Sequence, residues 1–127
     1  MEKIHISYRI KLNREPNFLV AYRFFTPEEG GRVTGTPTQG YRSDFRYEHP
    51  EHTKGRVFMI WPEFLDEDDE VITDNILPVR WSGKAYMWII ANEMRPYHKD
   101  KIKVGLNGFF VEGNKKVAEC DVIQVFK

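Results

Sequence analysis

Cysteine is almost missing from this sequence, since Cys120 is the only one among 127 residues. A single cysteine excludes an internal disulfide and a cysteine-based zinc site. The apolar neighbours of Cys120 favour a packed core residue over a nucleophile, because free cysteine is among the most buried residue types.

Long apolar runs and net charge are missing as well. No run approaches the roughly 20 apolar residues that a membrane-spanning helix needs, and the charged, alternating first six residues are unlike a secretory signal. The 19 basic and 19 acidic residues cancel, so the chain as a whole is not expected to attract nucleic acid or an anionic membrane. We expect a cytoplasmic protein with no membrane partner, folded as one domain over residues 1–127.

Recognisable catalytic spacing is also absent. No Ser/His/Asp or Cys/His set has a context that favours catalysis. The Gly-x-x-x-x-Gly-Lys-Ser/Thr phosphate loop is missing, so GTP binding is not expected. His49 and His52 lie with two glutamates in a polar turn without a third metal ligand of evident spacing. We therefore expect a non-enzymatic protein without a cofactor or a metal.

What the sequence does contain is a series of short strand patterns without a convincing amphipathic helix. Strands are predicted at residues 4–12, 18–25, 41–47, 56–61 (ended by Pro62), 85–94, 99–111 and 115–126. The apolar residues of the last strand change face, which predicts a bulge or burial on both faces. Strands of this length, separated by glycine and proline, predict an all-β antiparallel barrel or sandwich.

A long loop at residues 26–40 is rich in glycine, threonine and proline and precedes the strand at 41–47. Its first residues can cap a helical turn, which Gly30 and Gly31 would end at once. Long loops ahead of strands frequently hold recognition residues. We therefore expect the rest of the chain to be organised around residues 30–47.

Two charged segments stand out. Residues 63–70 hold six carboxylates, and self-repulsion predicts an exposed loop that lacks the glycine and the terminal glutamate of a calcium-binding loop. A basic and aromatic cluster has a composition suited to a nucleic-acid backbone, with Tyr97 and His98 between its cations: Arg95, Lys99, Lys101 and Lys103. The alternative is that these lysines form the solvent face of a strand.

Three short motifs follow one another in the central loop: Gly30-Gly31-Arg32, Thr36-Pro37 and Gly40-Tyr41-Arg42. A Glu112-Gly113 turn lies between two predicted strands near the carboxyl end. In this order the motifs resemble the third, C-terminal β-barrel domain of elongation factor Tu, and the order of elements agrees over nearly the whole chain. The resemblance implies a small closed antiparallel Greek-key barrel of about six strands, here as a free-standing bacterial domain without the GTPase.

The chain departs from that pattern at several positions. The loop between Arg32 and Gly40 is one residue longer, Ser43-Asp44 replaces Pro-Gln, and Val111 replaces the arginine of an Arg-Glu-Gly turn. These changes remove one positive charge and add a negative one, which weakens an interpretation as a tRNA-binding domain.

In the full factor this domain helps to hold the T-stem backbone of aminoacyl-tRNA and contacts the nucleotide-exchange partner. The resemblance therefore implies a translation-factor-like binding module for a protein partner or an RNA backbone. The partner-binding positions that it implies are Arg32, Tyr41, Arg42, Glu112 and Gly113. Each of the two arginines is suited to a bidentate contact with a phosphate or a carboxylate.

Two alternatives remain open. Arg32 and Arg42 can instead be structural and tether the long loop to Glu28, Glu29 or Asp44. The function can instead be that of an immunity- or antitoxin-like interaction protein that uses the acidic loop at residues 66–70.

Overall fold

The structure, a computed structural model, describes residues 4–49 and 54–126. In these residues seven strands form one curled antiparallel sheet, so the predicted all-β class is confirmed. The strands are β1 (Phe18–Phe24), β2 (Asp44–Tyr47), β3 (Val57–Phe58), β4 (Ile60–Phe64), β5 (Ser82–Ile89), β6 (Asn107–Glu112) and β7 (Lys115–Val125). The short helical segments are α1 (Tyr8–Lys11), α2 (Arg95–Lys99) and the 3-10 turns Pro27–Glu29 and Asn92–Met94.

The order of the strands across the sheet is β3-β2-β6-β7-β1-β5-β4. The two strands at its edges, β3 and β4, follow one another in the chain and are separated only by Met59. The long β7 pairs with both β1 and β6, and its register shifts once against each partner. The bulge, one of the two alternatives predicted for the last strand, is therefore confirmed.

Aromatic side chains fill the inner face of the sheet. In β1 the buried residues alternate with more exposed ones, and Phe18, Tyr22 and Phe24 all point inward. Tyr22 and Phe24 contact the ring of Phe64 from β4 and the ring of Phe110 from β6. Edge-on and tilted ring contacts of this kind add to the stabilisation from burial alone. The core therefore joins strands from both halves of the sequence.

The prediction of a strand over residues 4–12 is wrong. The side chain of Ser7 accepts a hydrogen bond from the backbone N–H of Arg9 and begins α1. The alternating isoleucines do not face the core, and Ile10 is 73% exposed. The segment buries His5 and Tyr8 instead. His5 lies before α1 and Tyr8 is its first residue, so the burial of both does not follow strand alternation, which would place residues 5 and 8 on opposite faces.

Two further strand predictions are wrong. Residues 99–104 do not extend a strand, since the chain forms α2 and then turns before β6 begins at Asn107. Pro96 lies in the first turn of α2. Backbone N–H groups in a first turn have no acceptor within the helix, so the N–H that proline lacks is not missed there. Pro62 does not end the fourth predicted strand but lies within β4. Its missing N–H is tolerated there because β4 is at an edge of the hydrogen-bonded order.

Candidate functional site

The central loop begins as its sequence predicts. Thr26 and Glu29 form a capping box, in which each side chain accepts a hydrogen bond from the backbone N–H of the other residue. Gly30 ends the 3-10 turn in the left-handed conformation with φ of 89°. Gly31 then passes so close to the backbone of Phe25 that a Cβ atom there would lie 2.1 Å from its carbonyl oxygen. The loop therefore leaves β1 along one defined path, which leads directly to Arg32.

Three of the predicted site residues lie together. The Nε of Arg32 donates to a carboxylate oxygen of Glu112 at 2.7 Å, and Tyr41 donates its hydroxyl proton to the same oxygen. The guanidinium of Arg32 also lies over the Tyr41 ring, 5.4 Å from its centroid. Burial and the bond to Glu112 raise the pKa of Tyr41 well above its ordinary value, which keeps its hydroxyl a donor. The cluster ties the central loop to the end of β6.

Gly113 forms part of the turn that follows Glu112. Glu112 pairs with Lys115, so Gly113 and Asn114 form a two-residue hairpin turn between β6 and β7. Gly113 adopts φ of 62°, which glycine reaches without strain. The Glu112-Gly113 motif therefore positions an anchor for the loop.

Arg42 is separated from this cluster. Its guanidinium lies 4.7 Å from the centroid of the Trp61 ring, beside the buried Tyr8. Burial raises the pKa of Tyr8, and the nearby charge of Arg42 opposes that effect. Arg32 and Arg42 thus contact Glu112 and Trp61, whereas the predicted tethering partners were Glu28, Glu29 and Asp44.

A second loop runs beside the central one. Thr38 forms an antiparallel bridge with Pro78, and Val79 donates its N–H to the carbonyl of Pro37 at 2.8 Å. Thr36 adds a side-chain bond to the carbonyl of Val79. We call residues 30–42 and 74–81 the paired loops. The first loop comes after β1 in the chain and the second comes just before β5, so both lie at the end of the sheet where β1 ends and β5 begins.

The paired loops expose large apolar side chains. They are Val33 (79% exposed), Ile76 (63%), Leu77 (66%) and Trp81 (46%). None of these residues is among the predicted site residues, although apolar side chains in a segment without a strand or helix pattern were the available signal. Their exposure depends on how the two loops pair, which the sequence does not reveal.

The predicted basic cluster lies on α2 and the turn that follows it. Lys101 is engaged, since its Nζ donates to the carbonyl of Tyr97 at 3.0 Å and lies 3.8 Å from the centroid of the Tyr97 ring. Within residues 4–49 and 54–126, the charged groups of Arg95, Lys99 and Lys103 make no hydrogen bond or salt bridge. The three cations are therefore free to bind a partner of opposite charge.

The acidic segment is only partly the exposed loop that its charge predicts. Asp66 closes a tight turn by accepting the backbone N–H groups of Asp68 and Glu70 at 2.8 and 3.0 Å. Asp69 lies 3.3 Å from the Nζ of Lys84. The first carboxylate of the segment, Glu63, is fully buried in β4, so its predicted exposure is wrong.

Glu63 is the centre of a buried polar cluster. One carboxylate oxygen lies 2.6 Å from the Nε2 of His5 and accepts the backbone N–H of Tyr8 at 2.9 Å. The other oxygen accepts the indole N–H of Trp88 at 3.2 Å. Glu63 and Trp88 lie on the outer face of the sheet, and the chain around α1 covers them. The alternation in β4 places Glu63 on that face, but only the tertiary structure shows what covers it.

The remaining predictions concern thiol and metal chemistry. Cys120 is buried, and burial raises the pKa of its thiol, so it is a core residue as predicted. In the part of the chain that the structure describes, no group of three or more His, Cys, Asp or Glu side chains is placed to hold a metal ion. Of the predicted histidine pair, His52 lies outside the described residues. None of the described helices combines the length and apolar character needed to cross a membrane.

Comparison with known proteins assigns this chain to no family. Neither a family model nor a curated protein matches this chain.

Proposed function

We propose that this chain is a non-enzymatic binding module that contacts a protein partner through the paired loops. Its fold, on this proposal, is a closed Greek-key barrel like the C-terminal domain of elongation factor Tu. The observation that carries the functional part is the exposure of Val33, Ile76, Leu77 and Trp81 on two loops held side by side. Single exposed apolar residues are common on protein surfaces, whereas four of them on two adjoining loops, one a tryptophan, offer the apolar and aromatic side chains that interfaces use.

The arrangement of the edge strands supports closure. β3 pairs with β2, and β4 pairs with β5. Met59, which lies between β3 and β4, accepts the backbone N–H of Ile90 at 3.1 Å, so the pairing with the chain of β5 begins one residue before β4. If residues 57–64 count as one strand, that strand joins the two ends of the sheet and six strands complete a ring. Six is the number that the resemblance implies.

The geometry favours a protein partner over an RNA backbone at the central loop. A phosphate would have to displace Glu112 from Arg32, and Arg42 lies against Trp61. Among the predicted site residues, Arg95, Lys99 and Lys103 are the cations that no hydrogen bond, salt bridge or aromatic ring engages within residues 4–49 and 54–126. Recognition of a partner through the acidic loop at residues 66–70 is also less favoured, since Asp66 and Asp69 already have partners within the chain.

Affinity capture from a bacterial lysate tests the protein interface. The baits are the wild type, Leu77→Ser/Trp81→Ser, and the control Ile10→Ser/Val104→Ser, which removes equally exposed apolar side chains elsewhere. We expect a specific protein on the wild type and the control and its loss from the loop variant. The purified partner should then bind the loop variant at least about tenfold more weakly, because central interface residues contribute most of the binding energy. Equal capture by all three baits contradicts the proposal.

A salt series with tRNA tests the RNA alternative. The protein proposal predicts no tRNA affinity that rises steeply as salt falls from about 200 to about 50 mM. A steep rise that Arg95→Gln/Lys99→Gln/Lys103→Gln abolishes would instead support RNA binding at the basic cluster. Fluorescence anisotropy of labelled tRNA measures both outcomes.

A further inference from the structure

A cavity of about 880 Å³ lies at the end of the sheet away from the paired loops. Phe18 at the start of β1, Ile89 at the end of β5 and Val125 at the end of β7 contribute to its wall. The short helix α2 forms another side. Binding sites for small ligands have volumes of roughly 300 to 1,000 Å³, so the cavity has room for one such molecule.

The inner wall of this cavity is apolar. Phe18 is fully buried, and Ile89 and Ile102 are nearly so. Phe126 and Pro96 extend the apolar surface toward the mouth. Such a wall favours the apolar part of a ligand by removing it from water.

The mouth of the cavity is positively charged. Arg95 and Lys99 line it, both exposed and both without a salt bridge among the described residues, and no described lining residue is acidic. Arg14 adds a third cation nearby, since it donates to the carbonyl of the lining residue Ile89. Burial lowers the pKa of Arg14, and the charge of Arg95 lowers it further, because like charges repel one another. An anion at the mouth would relieve this repulsion.

His98 provides a polar group in the wall of the cavity. Its Nδ1 lies 2.7 Å from the hydroxyl of Tyr47, and its ring is held edge-on by Phe58 at 4.6 Å and by Tyr97 at 5.0 Å. The Nε2 atom is buried and has no hydrogen-bond partner within the described part of the chain. A buried polar atom without a partner is costly, so a group that satisfied Nε2 would gain that free energy.

The state of His98 indicates what Nε2 would bind. Burial first, and then the charges of Lys101 and Arg56, lower the pKa of His98 to about 4, so the ring is neutral near pH 7. When the hydroxyl of Tyr47 donates to Nδ1, the proton of the neutral ring lies on Nε2. Nε2 is then a hydrogen-bond donor and suits an acceptor oxygen.

We propose that this cavity binds a small amphipathic anion, an apolar chain or ring with one carboxylate or phosphate group. The anionic group lies between Arg95 and Lys99, the apolar part fills the cavity against Phe18 and Ile102, and His98 donates to a ligand oxygen. This site is separate from the paired loops and does not depend on the protein partner proposed there.

Isothermal titration calorimetry tests the ligand class. The probes are dodecanoate, dodecyl phosphate and dodecyltrimethylammonium, each below its critical micelle concentration so that single molecules are titrated. We expect saturable one-to-one binding of at least one anion and binding of the cation at least about tenfold weaker, because the tail is shared and only the head group differs. The two anions distinguish a carboxylate site from a phosphate site. No saturable binding of either anion, or equal binding of the cation, overturns the proposal.

A matched pair of variants locates the site. Arg95→Gln/Lys99→Gln removes two positive charges at the mouth, and Lys115→Gln/Lys116→Gln removes two at the opposite end of β7. The first variant should bind the preferred anion at least about tenfold more weakly, whereas the second should bind it like the wild type. Thermal unfolding checks that both variants are folded. Equal losses in the two variants would show attraction by net charge alone and overturn the assignment.

The histidine can be observed directly. In a ¹⁵N NMR spectrum, the Nε2 resonance of His98 should shift when the preferred anion saturates the protein, because the atom gains a hydrogen-bond partner. An unchanged resonance at saturation would overturn the role proposed for His98.

Discussion

Glu63 shows how one residue can fix the position of a whole segment. Its carboxylate contacts His5, the backbone of Tyr8 and the indole of Trp88, and all of these groups are buried. A buried carboxylate without partners would be strongly destabilising. The three contacts thus favour the observed position of α1 over β4 and β5, because other positions would leave the carboxylate without these partners.

Glu63→Leu should lower the free energy of unfolding by about 3 to 5 kcal/mol, because it leaves several buried donors without an acceptor. Glu63→Gln keeps the shape and should cost less, about 1 to 2 kcal/mol. The control is Glu15→Gln, since Glu15 pairs with Arg9 at the surface and should matter by less than about 0.5 kcal/mol. Urea unfolding measures all three. A loss for Glu63→Leu no larger than that of the control would contradict the structural role.

His98 makes the stability of the fold depend on pH. Its pKa is about 4 in the folded protein against an ordinary value of 6.5, so between these two values the unfolded chain binds more protons. Stability that is present above pH 6.5 is therefore lost as the pH falls toward 4. The loss from this residue should be about 2 to 3 kcal/mol.

The measurement compares the wild type with His98→Gln, which removes the titrating group and retains a polar side chain. Free energies of unfolding at pH 7 and pH 4.5 should differ more in the wild type than in the variant. Carboxylates that titrate in the same range contribute to both proteins and cancel in the comparison. Equal differences in the two proteins would show that His98 titrates normally in the folded state.

At the scale of elements, the path of the central loop is set where it leaves β1. The capping box of Thr26 and Glu29 ends at Gly30, and Gly31 then packs against the carbonyl of Phe25. No side chain fits at Gly31 without movement of the backbone. The contact of Arg32 with Glu112 therefore depends on glycine one residue earlier.

Gly31→Ala should lower the free energy of unfolding by about 2 to 3 kcal/mol, because the added methyl group would overlap the backbone of Phe25. Gly35→Ala is the control, since Gly35 has φ of 89° but no atom within 4 Å of an added Cβ. There only conformational strain of about 1 kcal/mol is expected. Equal effects of the two substitutions, measured by urea unfolding, would argue against the close approach at Gly31.

Closure of the sheet involves the whole molecule, because it depends on the strands at the two edges. Arg46 of β2 and Val57 of β3 are directly paired. Paired positions on antiparallel strands lie about 4.5 to 5.5 Å apart at Cα, which a disulfide can span. A cysteine at each position thus tests whether β3 pairs with β2, which closure of the sheet requires.

In a Cys120→Ala background, Arg46→Cys/Val57→Cys should form an intramolecular disulfide under mild oxidation. Closing this short loop should raise the free energy of unfolding by about 2 to 3 kcal/mol. As a control, Arg46→Cys/Val104→Cys combines positions that are not paired and should not form the bond. A thiol assay and non-reducing mass spectrometry measure the outcome. Failure of the first pair to oxidise would contradict the β2–β3 pairing on which closure depends.

The errors of sequence-based prediction have a common origin. Ile4, Ile6 and Ile10 alternate as in a strand, but α1 forms because His5 and Tyr8 reach Glu63, which lies more than 50 positions away. The contact between Arg32 and Glu112 likewise joins residues 80 positions apart, which the sequence does not reveal. The exposed residues Leu77 and Trp81 were missed for the same reason. In each case a contact between distant residues decided the outcome.

The sequence alone predicts most of the strands, the capped turn at Thr26, the burial of Cys120 and, as one of two alternatives, the bulge in β7. These features follow from residue spacing and local chemistry, which act within a few positions of the chain. The burial of Glu63, the pairing of the two loops and the cavity bordered by His98, Arg95 and Phe18 become evident only from the folded structure. Those features depend on which distant segments meet, and the period of an apolar pattern contains no information about that.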